Sequence, residues 1–209
     1  DITHEALSNE NTRKKVINKT LELCKKYGMK GINIDFEHTK IDDRDYITDF
    51  VREFRQAAGD DFIITVDVTP QISADVTKEP YDRKALAEIA DYMVVMAYDQ
   101  HWGSSDKAGS VAQYKWVEGS VNVLFRNIPN KKMILGVPLY TRIWKEAGGK
   151  VTSKTISMDE VARIIAAKGL KPVWDKESQQ NYIEYQENNA LYKNRFEHAH
   201  SLVEMVSLV

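Results

Sequence analysis

In the stretch GINIDFEH, residues 31–38, the apolar side chains Ile32, Ile34 and Phe36 alternate with Asn33, Asp35 and Glu37. Alternation of this kind describes a strand with two unlike faces, so one amide and two carboxylates share a face. Same-face neighbours on a strand stand about 6.6 Å apart at the backbone, close enough for Asp35 and Glu37 to address one small ligand together. Two acids at that separation titrate as a coupled pair, one ionised beside one protonated. Such a pair suits chemistry that protonates a leaving group and stabilises a positive centre, and glycosidic bond cleavage is the obvious case. Two other readings stay open: oxygen ligands for a divalent cation, or a solvated face with no role. The solvated reading fits poorly with a parallel sheet, whose strands are covered on both sides, because buried acids in a row need compensation.

The elements that must position these residues follow from the rest of the chain. Its 209 residues, 43% hydrophobic and 29% charged, suffice for one good core and a small appendage. A net charge of −2 argues against nucleic acid or an anionic membrane surface as the main partner. No apolar run is long enough to span a bilayer. No signal peptide opens the chain, which leaves room for an export signal upstream of Asp1. The single cysteine, Cys24, excludes an internal disulfide and falls on the apolar stripe of an expected helix, as a packed residue would.

Residues 1–9 read as a loop. A helix is expected over 10–28, with Ile17, Leu21 and Cys24 on one side and Gly28 as its stop. The carboxylate strand takes 31–37. A second helix carries Tyr46, Phe50 and Phe54 and ends at Gly59. Buried strands are expected over 62–69, 91–99 and 133–140, with helices over 81–90 and 110–127 between them. This alternation predicts a parallel sheet in an α/β protein. Glu37, Tyr98, Asp99, Tyr140 and Arg142 gather at the carboxyl ends of its strands, where both barrels and open α/β sheets keep their sites.

After Trp144 the rhythm breaks. Residues 145–150 read as a turn-rich linker, and SMDE at 157–160 is a capping box for a helix through Ile165 that stops at Gly169. Two strand-like runs then meet at Asn188-Asn189, a hairpin signal. The expected organisation is a main α/β part over 1–144, a small α+β insertion over 145–196 and a returning helix over 197–209.

The segment GINIDFE resembles the acidic strand of the family-18 glycoside hydrolases, the chitinase family, whose pattern reads D-G-x-D-x-D-x-E. Lys30 and Asn33 stand where the first two acids would be, and Asp35 and Glu37 match the last two. MAYD at 96–99 and LGVPLYTRIW at 135–144 resemble the motifs of the sixth and seventh strands, and AYDQHWGSS and AGSVA add a likeness to the bacterial spore and cell-wall branch. The resemblance implies a partial (β/α)8 TIM barrel, about strands four to seven, with the α+β insertion after the last. The first three strands are then expected upstream of Asp1, and the eighth, with a Trp at the floor of the sugar site, beyond Val209. Open sheet edges of that kind favour self-association, and the chain by itself is expected to be weakly active or inactive.

The resemblance further implies a retaining mechanism in which the substrate's own 2-acetamido oxygen is the nucleophile. Glu37 would be the general acid and then the base, and Asp35 would orient the acetamido group and stabilise the positive intermediate. Tyr98 would hydrogen-bond the acetamido oxygen. Asn33, Met96, Asp99, Tyr140, Arg142 and Trp144 would bind substrate. No metal or cofactor is implied. The implied partner is a polysaccharide containing N-acetylglucosamine, chitin or peptidoglycan, and the implied location is secreted or at the spore or cell envelope. A carbohydrate-binding protein of the same family that lost catalysis is the alternative, although such members usually lack the acid found here as Glu37. Asn194 and Arg195 depart from the residues the branch prefers, which leaves the sugar contacts of the insertion open.

Overall fold

The computed structural model describes residues 2–73, 75 and 78–209; Asp1, the first residue of the expected loop, lies outside them. The rest of that loop is a helix, α1 (Ile2–Ser8). A helix of seven residues is marginal alone and shows too little periodicity to be read from sequence. Tertiary contacts hold it: Leu7 is buried, Arg13 donates to the Leu7 carbonyl at 2.6 Å, and the His4 ring nitrogen lies 2.6 Å from an Asp43 carboxylate oxygen.

The chain forms two compact units, Asp1–Met96 with Asn122–Ile134, and Ala97–Val121 with Leu135–Val209. In the first unit, α2 (Glu10–Tyr27) starts at Asn9, whose side chain accepts from the amides of Asn11 and Thr12, and stops at Gly28 in the left-handed region. The strands β1 (Gly31–Ile34), β2 (Ile63–Val68) and β3 (Tyr92–Met96) pair in parallel, and β4 (Met133–Gly136) completes the order β1-β2-β3-β4. Helices α3 (Arg44–Ala58) and α4 (Arg83–Ile89) supply the cover. Ile47, Phe50, Val51 and Phe54 of α3 are buried, as are Ile64, Val66 and Val68 of β2. This is the alternating α/β arrangement that the apolar runs predicted, with β2 and β3 largely buried beyond their first residues and β1 and β4 only partly covered.

Strand β1 is shorter than expected. Its ladder on β2 runs from Gly31↔Ile63 to Ile34↔Val66, and Asp35–Glu37 lie past its end. The run over 133–140 is likewise divided: β4 stops at Gly136, Pro138 has no N–H for a ladder, and Tyr140 opens a strand of another sheet.

In the second unit, β5 (Tyr140–Ala147), β6 (Lys150–Ser157), β7 (Val173–Asp175), β8 (Gln180–Glu187) and β9 (Ala190–Phe196) form an antiparallel sheet in the order β6-β5-β9-β8-β7. The expected linker over 145–150 is therefore a hairpin: Gly148 and Gly149, both at positive φ, turn β5 directly into β6. The division expected after Trp144 falls inside β5. Asn188 and Asn189 turn β8 into β9 with φ of 49° and 57°, as a two-residue hairpin turn requires. Helix α6 (Met158–Lys168) is capped by Ser157 and Gly169, and a core of Ile156, Val161 and Ile183 lies between it and the sheet. Helix α5 (Tyr114–Leu124) is shorter than the expected 110–127, and α7 (Ala199–Val206) ends the chain. Among the described residues no helix is long and apolar enough to cross a membrane.

Two glycines test the tightness of this framework. A Cβ on Gly31 would lie 2.5 Å from the Ile63 carbonyl oxygen, whereas one on Gly119 in α5 would meet nothing within 4 Å. Gly31→Ala is expected to cost about 1–3 kcal/mol through forced separation of β1 from β2. Gly119→Ala should stabilise by about 0.4–1 kcal/mol. Urea unfolding midpoints of the two variants check both signs.

Candidate active site

Past the end of β1, three contacts continue the strand's alternation without a ladder. The Tyr81 hydroxyl donates to the Phe36 carbonyl at 2.6 Å, and the Phe36 ring meets Phe50 of α3 edge-on at 5.1 Å. Tyr81 is buried, and burial pushes its phenol above the usual range, so it remains a donor. With Phe36 held inward, Asp35 and Glu37 on either side of it are both exposed. The expectation that this acid pair would be buried is thus corrected: the backbone is anchored in the core and the carboxylates are offered to solvent. His38 follows with φ 55°, a left-handed conformation uncommon outside glycine that turns the chain away.

The buried acid is another residue, Asp67 on β2, which has 8% of its surface exposed. The pairing Asn33↔Thr65 puts it two residues beyond Thr65, on the side of β2 that faces Asn33. The Asn33 amide donates to Asp67 Oδ2 at 2.9 Å and accepts from the Thr65 hydroxyl at 2.5 Å. Burial raises the Asp67 carboxyl above its ordinary range; the Asn33 bond opposes this, and the charges of Asp35 and Glu37 add to it. The sequence offered a signal for Asp67, a lone acid in the apolar run FIITVDVT, but read as a strand alone the run gives it no partner. Met96 is buried at the end of β3.

The remaining expected residues belong to the second unit. Asp99 has φ 57°, and Tyr140 donates its hydroxyl to Asp99 Oδ1 at 2.7 Å. The Arg142 guanidinium reaches within 4.0 Å of the same oxygen and donates to Ser153 Oγ at 3.3 Å. The Tyr98 and Tyr140 rings meet edge-on at 6.4 Å. The structure therefore joins Tyr98, Asp99, Tyr140 and Arg142 into one polar cluster. Trp144 does not belong to it: with 1% exposed and its indole N–H donated to the Gly109 carbonyl at 2.8 Å, it has no free face for a sugar. Trp102, 57% exposed, has one. Asn194 is buried and donates to Thr141 Oγ1 and the Arg142 carbonyl, and Arg195 pairs with Asp175 at 2.6 Å. Both departures from the branch's residues thus serve the sheet. Among the described residues no three His, Cys, Asp or Glu side chains gather as a metal site would require.

Comparison with known proteins matches residues 4–209 to the model of the glycosyl hydrolases family 18. The glycosylase YvbX of Bacillus subtilis is 32% identical over 184 residues, 85% of this chain and 52% of that protein. The cortical fragment-lytic enzyme of Bacillus subtilis is 26% identical over 212 residues, 97% of this chain and 48% of that protein. The crystal structure of the Bacillus cereus spore cortex-lytic enzyme SleL superimposes with a TM-score of 0.87 at 24% identity, over 100% of this chain and 48% of that one. The chain thus spans about half the length of these relatives.

The Tyr140–Asp99 bond has a titratable consequence. Burial, then the bond to Asp99 and its negative charge, push the Tyr140 phenol far above the ordinary tyrosine range. Because the folded state holds this proton more tightly than the unfolded one, the contribution to stability is lost as pH rises above about 10. The alkaline absorbance difference between the protein and Tyr140→Phe should show Tyr140 ionising above the ordinary tyrosine range of about 10, and earlier once Asp99→Asn is introduced.

Proposed function

The chain belongs to the glycosyl hydrolases of family 18, and from that premise we propose that the protein cleaves β-1,4-linked N-acetylglucosamine glycans with retention, using the substrate's acetamido group as nucleophile. The observation that carries the reading is the presentation of Asp35 and Glu37: both exposed, on either side of a Phe36 anchored by Tyr81 and Phe50. An accessible acid pair on a pinned backbone is what proton transfer to a leaving oxygen requires, since general acid catalysis depends on position before acidity.

In this reading Glu37 protonates the leaving oxygen and then, as a carboxylate, takes a proton from the incoming water. Asp35 hydrogen-bonds the acetamido N–H and balances the positive charge that develops as its oxygen closes on the anomeric carbon. Tyr98 holds the acetamido oxygen in line. Asp99, Tyr140 and Arg142 form a hydrogen-bonding patch suited to sugar hydroxyls, and Met96 and Asn33 support the site from the strand ends. The parallel sheet corresponds to about strands four to seven of a (β/α)8 barrel, and the antiparallel sheet with α6 to the small α+β domain. Peptidoglycan of the spore or cell envelope is the favoured glycan, supported by relatives named for cortex lysis and sporulation.

The test is hydrolysis and binding of N-acetylglucosamine oligomers by the full-length protein. Glu37→Gln should lower kcat by roughly 10²- to 10⁴-fold while the dissociation constant stays within a few-fold. A full-length protein that binds these glycans and never cleaves them, with or without Glu37, would establish a binding protein instead.

A further inference from the structure

The geometry points to Asp67 as a positioning residue of the same site. The acid absent at position 33 is carried by the neighbouring strand, and Asp67 works as a neutral carboxylic acid whose Oδ1–H is directed to the Asp35 carboxylate. Its kinetic consequences rest on the functional reading above; its protonation does not.

Four observations converge on this. Asp67 is more than nine-tenths buried. Among the described residues only one of its oxygens has a hydrogen-bond partner: Oδ2 accepts from Asn33, while Oδ1 is buried without one. The Asn33 amide accepts from the Thr65 hydroxyl through its oxygen and donates its N–H₂ to Asp67, so Oδ2 serves as an acceptor. The register of β1 on β2 runs through Ile34↔Val66, so Asp67 is the next residue along β2 where the chain continues to Asp35. Among the described residues the charged groups that bear on Asp67 are the carboxylates of Asp35 and Glu37. From β3 its ladder partner is Val94, with Met96 two residues on, and neither titrates.

An ionised Asp67 would be a buried anion with, among the described residues, one hydrogen bond, no cation and two carboxylate neighbours, a costly arrangement. A protonated one removes the third charge and gives Oδ1 a hydrogen to donate. The balance is simple: one proton is held between the carboxyls of Asp67 and Asp35, no bond to substrate is involved, and the three acids together carry at most two negative charges. Asp35 is thereby held as a hydrogen-bonded carboxylate, and Asn33 serves as the link that keeps Asp67 in register.

Two measurements on the full-length protein test this. In carboxyl 13C NMR, the resonance lost in Asp67→Asn is expected to titrate above the ordinary aspartate value of about 3.9, with its midpoint falling in Asp35→Asn. Titration at or below the ordinary value, or a midpoint indifferent to Asp35→Asn, overturns the proposal. In kinetics on N-acetylglucosamine oligomers, Asp67→Asn keeps an N–H donor in place of Oδ1–H and should lower kcat about two- to fivefold, with a changed pH profile. Asp67→Leu, which removes both the donor and the acceptor, should lower kcat tenfold or more at little change in KM. Equal losses in the two variants with pH profiles superimposable on the parent would reduce Asp67 to a packing residue and overturn the proposal. A parent protein without turnover would refute the functional reading, and the NMR titration would still decide the state of Asp67.

Discussion

The depth at which β1 lies against β2 governs both the carboxylate pair and the buried acid behind it. With a side chain at position 31 the two backbones could not approach as they do, because a Cβ there would sit 2.5 Å from the Ile63 carbonyl oxygen. That approach sets the pairing Asn33↔Thr65, which in turn lets one amide bridge the Thr65 hydroxyl and Asp67. A slip of one residue would exchange the faces of the strand, turning the carboxylates inward and Phe36 outward. The site is therefore a consequence of register first and of local side-chain chemistry second.

The end of β1 shows how a protein extends alternation beyond its ladder. Backbone pairing stops at Ile34, yet the next three residues keep the in-and-out order because Tyr81 and Phe50 hold Phe36. A ladder bond is replaced by a side-chain donor and an aromatic contact. This leaves Asp35 and Glu37 exposed on an anchored segment, while Asp67 carries the desolvation behind them. In the second unit a left-handed Asp99 plays a comparable part, accepting from Tyr140 close to Arg142. Non-glycine residues at positive φ tend to persist where surrounding contacts fix them, and here one follows each chemical group: His38 after Glu37, Asp99 after Tyr98.

Much of this was legible in the sequence. The period of two in GINIDFEH, the apolar runs of β2 and β3, the caps at Gly28, Ser157 and Gly169, and the Asn-Asn turn each report a local rule that the structure obeys. What was not legible depends on partners far along the chain. Tyr81 is 45 residues from Phe36, and Asp67 is 34 from Asn33; neither bond leaves a local trace. Helix α1 was missed because seven residues hold too few apolar positions to show a period and are stabilised by Arg13 and Asp43 instead. Trp144 was expected to meet sugar because it ends a motif, but a strand alternates its faces, and position 144 falls on the inward one. The linker expected at 145–150 had the right turn residues, Gly148 and Gly149, and the wrong surroundings: strands run into it from both sides.

The central claim is that the exposed acid pair acts with the substrate's acetamido group and not with a second carboxylate nucleophile. It is tested most directly by time-resolved proton NMR of the full-length protein cleaving an N-acetylglucosamine oligomer beside its de-N-acetylated counterpart. The account predicts that the β-anomer appears first and converts to the α-anomer only by mutarotation, with the de-N-acetylated oligomer left intact. An α-anomer released first, or equal cleavage of both oligomers, would contradict it.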